Sequence, residues 1–170
     1  MTGFREQEAR YVTWNNIRFA VNIIEMRWKP QFNWFPKAYK EREVPVPDEL
    51  LDSLQFYRKA LPGEHASPES LVFGTKSGKP DLHMLRALKR NARRAGLKPE
   101  DFWFHKFRAT FATTHLRNGV DLRTVMAWMG QTSLESISRY LKPARTEGII
   151  NKVNLSFTDP TFANRKKIST

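Results

Sequence analysis

The chain has 170 residues, the usual range of a single domain, and a domain of that size buries roughly 70% of its unfolded-chain surface, so a core forms without staples. Its 29 Lys and Arg against 17 Asp and Glu give a charge of +12 and a pI near 10.2, which favours a polyanionic partner such as nucleic acid, with 12 Phe, 5 Trp and 4 Tyr as stacking surface. The lack of cysteine excludes disulfides and thiolate zinc, no apolar run approaches the roughly 18 residues of a membrane span, and the polar start MTGFREQEAR is unlike a secretory leader, so the expected setting is soluble and cytoplasmic.

In chain order, residues 4–14 read as a helix, with Phe4, Tyr11 and Val12 on one face and Arg5 and Glu8 a turn apart on another. From Val21 the pattern VNIIEMRW turns to strand, passes through the turn-rich KPQFNWFPKAYK and returns as EREVPVP, a hairpin or small antiparallel sheet. Pro47 and Asp48 open a helix through LLDSLQFYRKAL, LPGEHASPES is a surface loop, and a second helix covers Leu82 to Ala95, ended by Gly96. Three short helices follow. One runs from His105 to Gly119, another from the N-cap Asp121 to Gly130, and a third starts with Thr132 and Glu135 as a capping box and buries Leu134, Ile137 and Leu141. Tyr140 lies beside that apolar stripe, so its ring is supported while its hydroxyl points out. After Pro143 come the mildly apolar IINKVNLSF and, at 158–170, a polar basic tail.

Phosphoryl transfer from DNA to a side chain needs a nucleophile, cationic or hydrogen-bonding groups around the non-bridging oxygens, and an acid for the leaving 5′ oxygen. Candidates for each are present. Arg5 and Arg108 have the planar fork suited to a phosphate, and His105 shares a helix face with Arg108 at i and i+3. Lys37, in the turn of the hairpin, suits the acid and Tyr140 the nucleophile. Taken singly, each has an ordinary structural reading as an ion pair, a solvated lysine or a packing tyrosine. The histidines at 65, 83, 105 and 115 show no H-x-x-x-H pairing or carboxylate at ligand spacing, which argues against a metal site.

The order of these residues resembles the tyrosine recombinase family of phage integrases. TGFREQE resembles its T-G-x-R-x-x-E box, in which Arg5 takes the place of the first catalytic arginine and Glu8 that of the supporting acid. FPKAYKEREVPVP resembles the family hairpin, where the place of the catalytic lysine falls on Lys37 rather than Lys40. HKFRATFATTHLRNGVDLRTVMAWMG resembles the H-x-x-R box and the helix leading to L-G-H, and Tyr140 stands nine residues after the position of that final His. The resemblance implies an α+β fold, mainly helical with a small antiparallel sheet, shared with type IB topoisomerases and spanning residues 1–157. It also implies cleavage and rejoining of DNA through a 3′-phosphotyrosine, with double-stranded DNA and a tetrameric synapse of protomers as partners and no metal or cofactor.

Two departures accompany it. Gln131 stands where the family has His or Trp; its amide still donates a hydrogen bond but carries no charge. Arg5 is the fifth residue, whereas the family has a DNA-clamping domain and opening helices before its first box, so the expectation is a fragment or a truncated remnant with exposed apolar surface. The rival readings are a topoisomerase-like relaxing enzyme and a DNA-binding remnant without catalysis.

Overall fold

A computed structural model of the chain describes residues 1–133, all of them within one compact unit, Met1–Tyr140. The helix expected from Thr132 onward, Tyr140 and the tail lie outside the described residues. A short helix α1 (Glu6–Arg10) leads into β1 (Ile17–Arg18), β2 (Ile23–Met26) and β3 (Arg42–Pro45); then come helices α2 (Asp48–Ala60), α3 (Met84–Arg94), α4 (Phe104–Arg117) and α5 (Leu122–Met129). The strands form one antiparallel sheet in the order β1-β2-β3, with Ile24 opposite both Ile17 and Val44.

The expected helix over 4–14 shrinks to α1 for identifiable reasons. Gly3 sits at φ +63° and Arg5 is extended, so helical geometry begins only at Glu6. Beyond Tyr11 the backbone is drawn into pairing: the Val72 N–H donates to the Val12 carbonyl at 2.9 Å and Thr13 bridges Leu71. Strand β1 was not expected, because two residues are too few to show alternation. The other helices follow the sequence pattern to within about two residues at their ends. Asp121 caps α5 by accepting from the Thr124 N–H at 2.9 Å, and Gly130 ends it in the left-handed conformation.

Alternation along β3 directs Val44 and Val46 inward and Glu43 and Pro45 outward. Val44 shares one core with Ile24, Met26, Val125 and Met129, and that core continues through Phe4, Val12, Trp14, Leu51, Leu54 and Phe111. Each such side chain contributes roughly 1.5–3 kcal/mol on burial. An apolar cavity of about 220 Å³ opens at one side of this core, lined among others by Met1, Phe4, Ile24, Leu54 and Val72.

Gly3 is where the first turn meets α4. A Cβ there would lie 2.5 Å from the Phe111 ring, and the backbone is already left-handed. We expect Gly3→Ala to cost roughly 2–5 kcal/mol, summing a left-handed L-residue and an overpacked core. Gly78→Ala, at φ +71° with nothing within 4 Å, should cost only roughly 1–2 kcal/mol. Urea unfolding of both variants checks the contrast; equal losses would mean that the Phe111 contact is not the constraint.

Candidate functional site

The last four carbonyls of an α-helix have no partner within it. In α5 all of them are accounted for. The Gln131 N–H donates to the Met126 carbonyl at 2.9 Å and the Gly130 N–H to Ala127 at 3.0 Å. Arg42 Nε donates to the Trp128 carbonyl at 2.7 Å, and Arg108 Nη2 to Met129 at 2.6 Å. Arg5 Nη2 then donates to the Gly130 carbonyl at 3.1 Å. Three arginines from three segments thus hold consecutive carbonyls at the negative end of one helix.

Each guanidinium is fixed a second time. Arg108, 4% exposed, donates through Nη1 to the Gly3 carbonyl at 2.5 Å, so the second motif grips the first. Arg5 and Arg42 meet at Glu8: Arg5 Nη1 to Oε1 and Arg42 Nη2 to Oε2, both 2.7 Å. Glu8 also accepts from the Arg5 N–H at 2.7 Å, which is the glutamate half of a capping box. Burial pushes the Glu8 carboxyl up, but the hydrogen bonds and charges of Arg42 and Arg5 outweigh it and hold the group below the usual carboxylate range. Two guanidiniums share one carboxylate, which leaves a net positive charge.

Arg5, His105 and Arg108 line one cavity of about 310 Å³, walled by Phe4, Trp103 and Phe104. The one-turn spacing from His105 to Arg108 therefore does bring both to a single place. Gln131 lies elsewhere, in a cavity of about 590 Å³ with Lys40, Arg42 and Arg123; its Oε1 is buried and accepts no hydrogen bond from the described residues. Lys37 is exposed in the 3-10 turn Lys37–Tyr39 and lines neither cavity. Among the described residues no cluster of His, Asp and Glu fits a metal ion, and no helix is long and apolar enough to cross a membrane.

Arg42 is the residue that sequence reasoning passed over, although a signal existed. It sits two positions before Val44 and four before Val46 in an alternating strand, hence on the inward face. An inward arginine requires a buried acid, and Glu8 is that acid. Arg42→Met should therefore cost roughly 1–3 kcal/mol, because Glu8 keeps Arg5 but loses its second cationic partner and the Trp128 carbonyl loses its donor. Adding Glu8→Gln should restore part of the loss in a double-mutant cycle read by chemical denaturation; strict additivity would mean that the pair is not coupled. The same pairing sets a pH dependence. Because the folded pKa of Glu8 is depressed, its contribution is complete above the unfolded value of about 4.3 and disappears as pH falls through the lower folded value. Stability of Glu8→Gln should accordingly fall less than that of the parent chain below about pH 4.3, and parallel curves would overturn the assignment.

Comparison with known proteins bears on the family and the fold. The phage integrase family model matches residues 1–147. A tyrosine recombinase of Thermosipho africanus is 33% identical over 114 residues, covering 65% of this chain and 38% of that protein. Tyrosine recombinase XerA of Pyrococcus furiosus is 28% identical over 144 residues, covering 83% of this chain and 46% of the relative. The chain thus spans less than half the length of either. Among solved structures, the XerA recombinase crystal structure superposes with a TM-score of 0.66 at 21% identity over 92% of this chain and 53% of that one. The pre-cleavage complex of XerH with its difH substrate gives 0.61 at 22% identity over 89% and 42%. With its ordered motifs, its small antiparallel sheet and arginines gathered on one helix end, the chain belongs to the phage integrase family.

Proposed function

We propose that this chain is the catalytic part of a site-specific DNA recombinase that cleaves and rejoins strands through a phosphotyrosine. The observation that carries this reading is the convergence of Arg5 on one side and His105 and Arg108 on the other on a single cavity, although about a hundred positions separate them in sequence. Arg5 and Arg108 are already oriented by main-chain carbonyls, so they meet a phosphate with little reorganisation.

In the reaction the Tyr140 hydroxyl attacks the scissile phosphorus. The P–O bond to the 5′ oxygen breaks, and a 3′-phosphotyrosine remains. Arg5 and Arg108 spread the charge of the pentavalent phosphate, His105 donates to it or accepts the tyrosine proton, and Lys37 protonates the departing 5′ oxygen. Gln131 supplies a neutral donor from the neighbouring cavity, and Glu8 acts through the arginines. Rejoining reverses these steps with the hydroxyl of a partner strand. The partners in this reading are duplex DNA and further protomers in a four-site synapse, in a cytoplasmic setting. The family resemblance supports these roles, as does the difH substrate bound by the XerH recombinase, whose fold this chain shares.

A nicked suicide duplex tests the reading. The parent chain should form a covalent adduct and Tyr140→Phe none, with DNA affinity nearly unchanged because only the hydroxyl is lost; an undiminished adduct in the variant removes Tyr140 from its role. Affinity should fall steeply with salt as Lys and Arg displace condensed counterions, and a flat response would argue against DNA. Gln131→Ala should slow single-turnover cleavage by roughly ten- to a thousandfold, the range for one lost phosphate donor, and equal rates would place residue 131 away from the phosphate.

A further inference from the structure

Trp28, Phe35 and Tyr39 form an exposed aromatic array on the segment between β2 and β3, with relative exposures of 49%, 39% and 76%. Trp28 and Phe35 stack at 5.2 Å with their planes 9° apart, and Tyr39 meets Phe35 edge-on at 4.9 Å. None of the three belongs to the core or its flanking shell. Tyr39 is held at φ +53°, a conformation that disfavours an L-residue.

The array is anchored from behind. Lys29 and Trp34 exchange main-chain hydrogen bonds of 2.9 and 3.1 Å. Trp34 stacks inward on Tyr11 at 4.9 Å, and the buried Lys29 Nζ donates to Thr13 Oγ1 at 2.9 Å. The Trp28 N–H is fixed by Glu41 at 2.9 Å. The rings are therefore presented by a braced loop, and a ligand would spend little ordering entropy on them.

We infer that this array is a stacking platform for unpaired DNA bases, which keeps the released strand next to the site while it is free. The inference rests on the recombinase reading, since it is cleavage that frees such a strand. Charge favours a nucleic acid over a protein partner: exposed Lys37 and Lys40 flank Tyr39, while Glu41 and Glu43 are engaged by Arg27 at 3.2 Å each. Position favours the bases beside the break, because Tyr39 shares a single 3-10 turn with Lys37, the proposed donor to the departing oxygen. Ring faces favour unpaired bases over an intact duplex, where neighbouring bases already cover each face.

The test uses the full chain and two probes of one sequence, a fully paired duplex and a duplex with a short unpaired stretch carrying 2-aminopurine. Wild type should bind the second more tightly and quench its fluorescence. Trp28→Leu combined with Phe35→Leu keeps apolar surface but removes the π faces. It should weaken binding to the unpaired probe by roughly tenfold or more, leave duplex affinity unchanged and abolish quenching. Trp28→Phe should retain both effects, and thermal melts establish that all variants are folded. Equal affinity of the leucine variant and wild type for the unpaired probe, or an equal loss on both probes, overturns the platform while leaving the recombinase reading intact. A wild type that binds neither probe overturns both.

Discussion

The far end of α5 is the constraint on which the rest depends. A helix of eight residues has little cooperative stability of its own, and its C-terminal carbonyls would face the interior without partners. Arg42, Arg108 and Arg5 remove that penalty in order along the chain, from Trp128 to Gly130. Each unsatisfied buried carbonyl would cost roughly 1–3 kcal/mol, so folding of the last described helix and placement of the cationic side chains are one event. The residues proposed to bind phosphate are also structural, and substitution of Arg108 would combine a catalytic with a folding effect.

Glu8 explains how so much positive charge is held together. Guanidiniums converging on one helix end repel each other, and a helix C-terminus offers only about half an elementary charge in return. A full carboxylate between Arg5 and Arg42 offsets that repulsion and sets their rotation through charge-assisted bonds of 2.7 Å. Because it neutralises only one of the two, the site keeps a net positive charge. Arg5 remains the more accessible member, 27% exposed against 8% for Arg42, which suits one to ligand contact and the other to support.

The helices were legible because their punctuation is chemical: Pro47 and Asp48 before α2, Asp121 as a cap, and Gly96, Gly119 and Gly130 with positive φ. Arg5, His105 and Arg108 were legible as motif members, and their shared cavity follows from a tertiary bond no local pattern contains, Arg108 to the Gly3 carbonyl. What stayed hidden is non-local. The early stop of α1 comes from pairing with residues 71 and 72, and the two-residue β1 carries no periodicity. Arg42 was hidden only by attention to motif spacing, since the inward face of β3 already required a partner for it.

The glutamine at 131 acquires a physical rationale from where the chain turns. Gly130 reverses the backbone at φ +60°, and a Cβ there would come 3.0 Å from the Arg42 guanidinium, so glycine lets the helix end close against that group with the least strain. The reversal delivers residue 131 to the cavity of Lys40, Arg42 and Arg123 rather than to that of Arg5. In such cationic surroundings an imidazole would have its pKa lowered by like charge and would serve mostly as a neutral donor. A carboxamide donates equally well as a neutral group and needs no proton from solvent. In the proposed reaction, a glutamine at 131 therefore sacrifices less than the loss of a charge implies, because Arg42 and Arg123 beside it already carry charge.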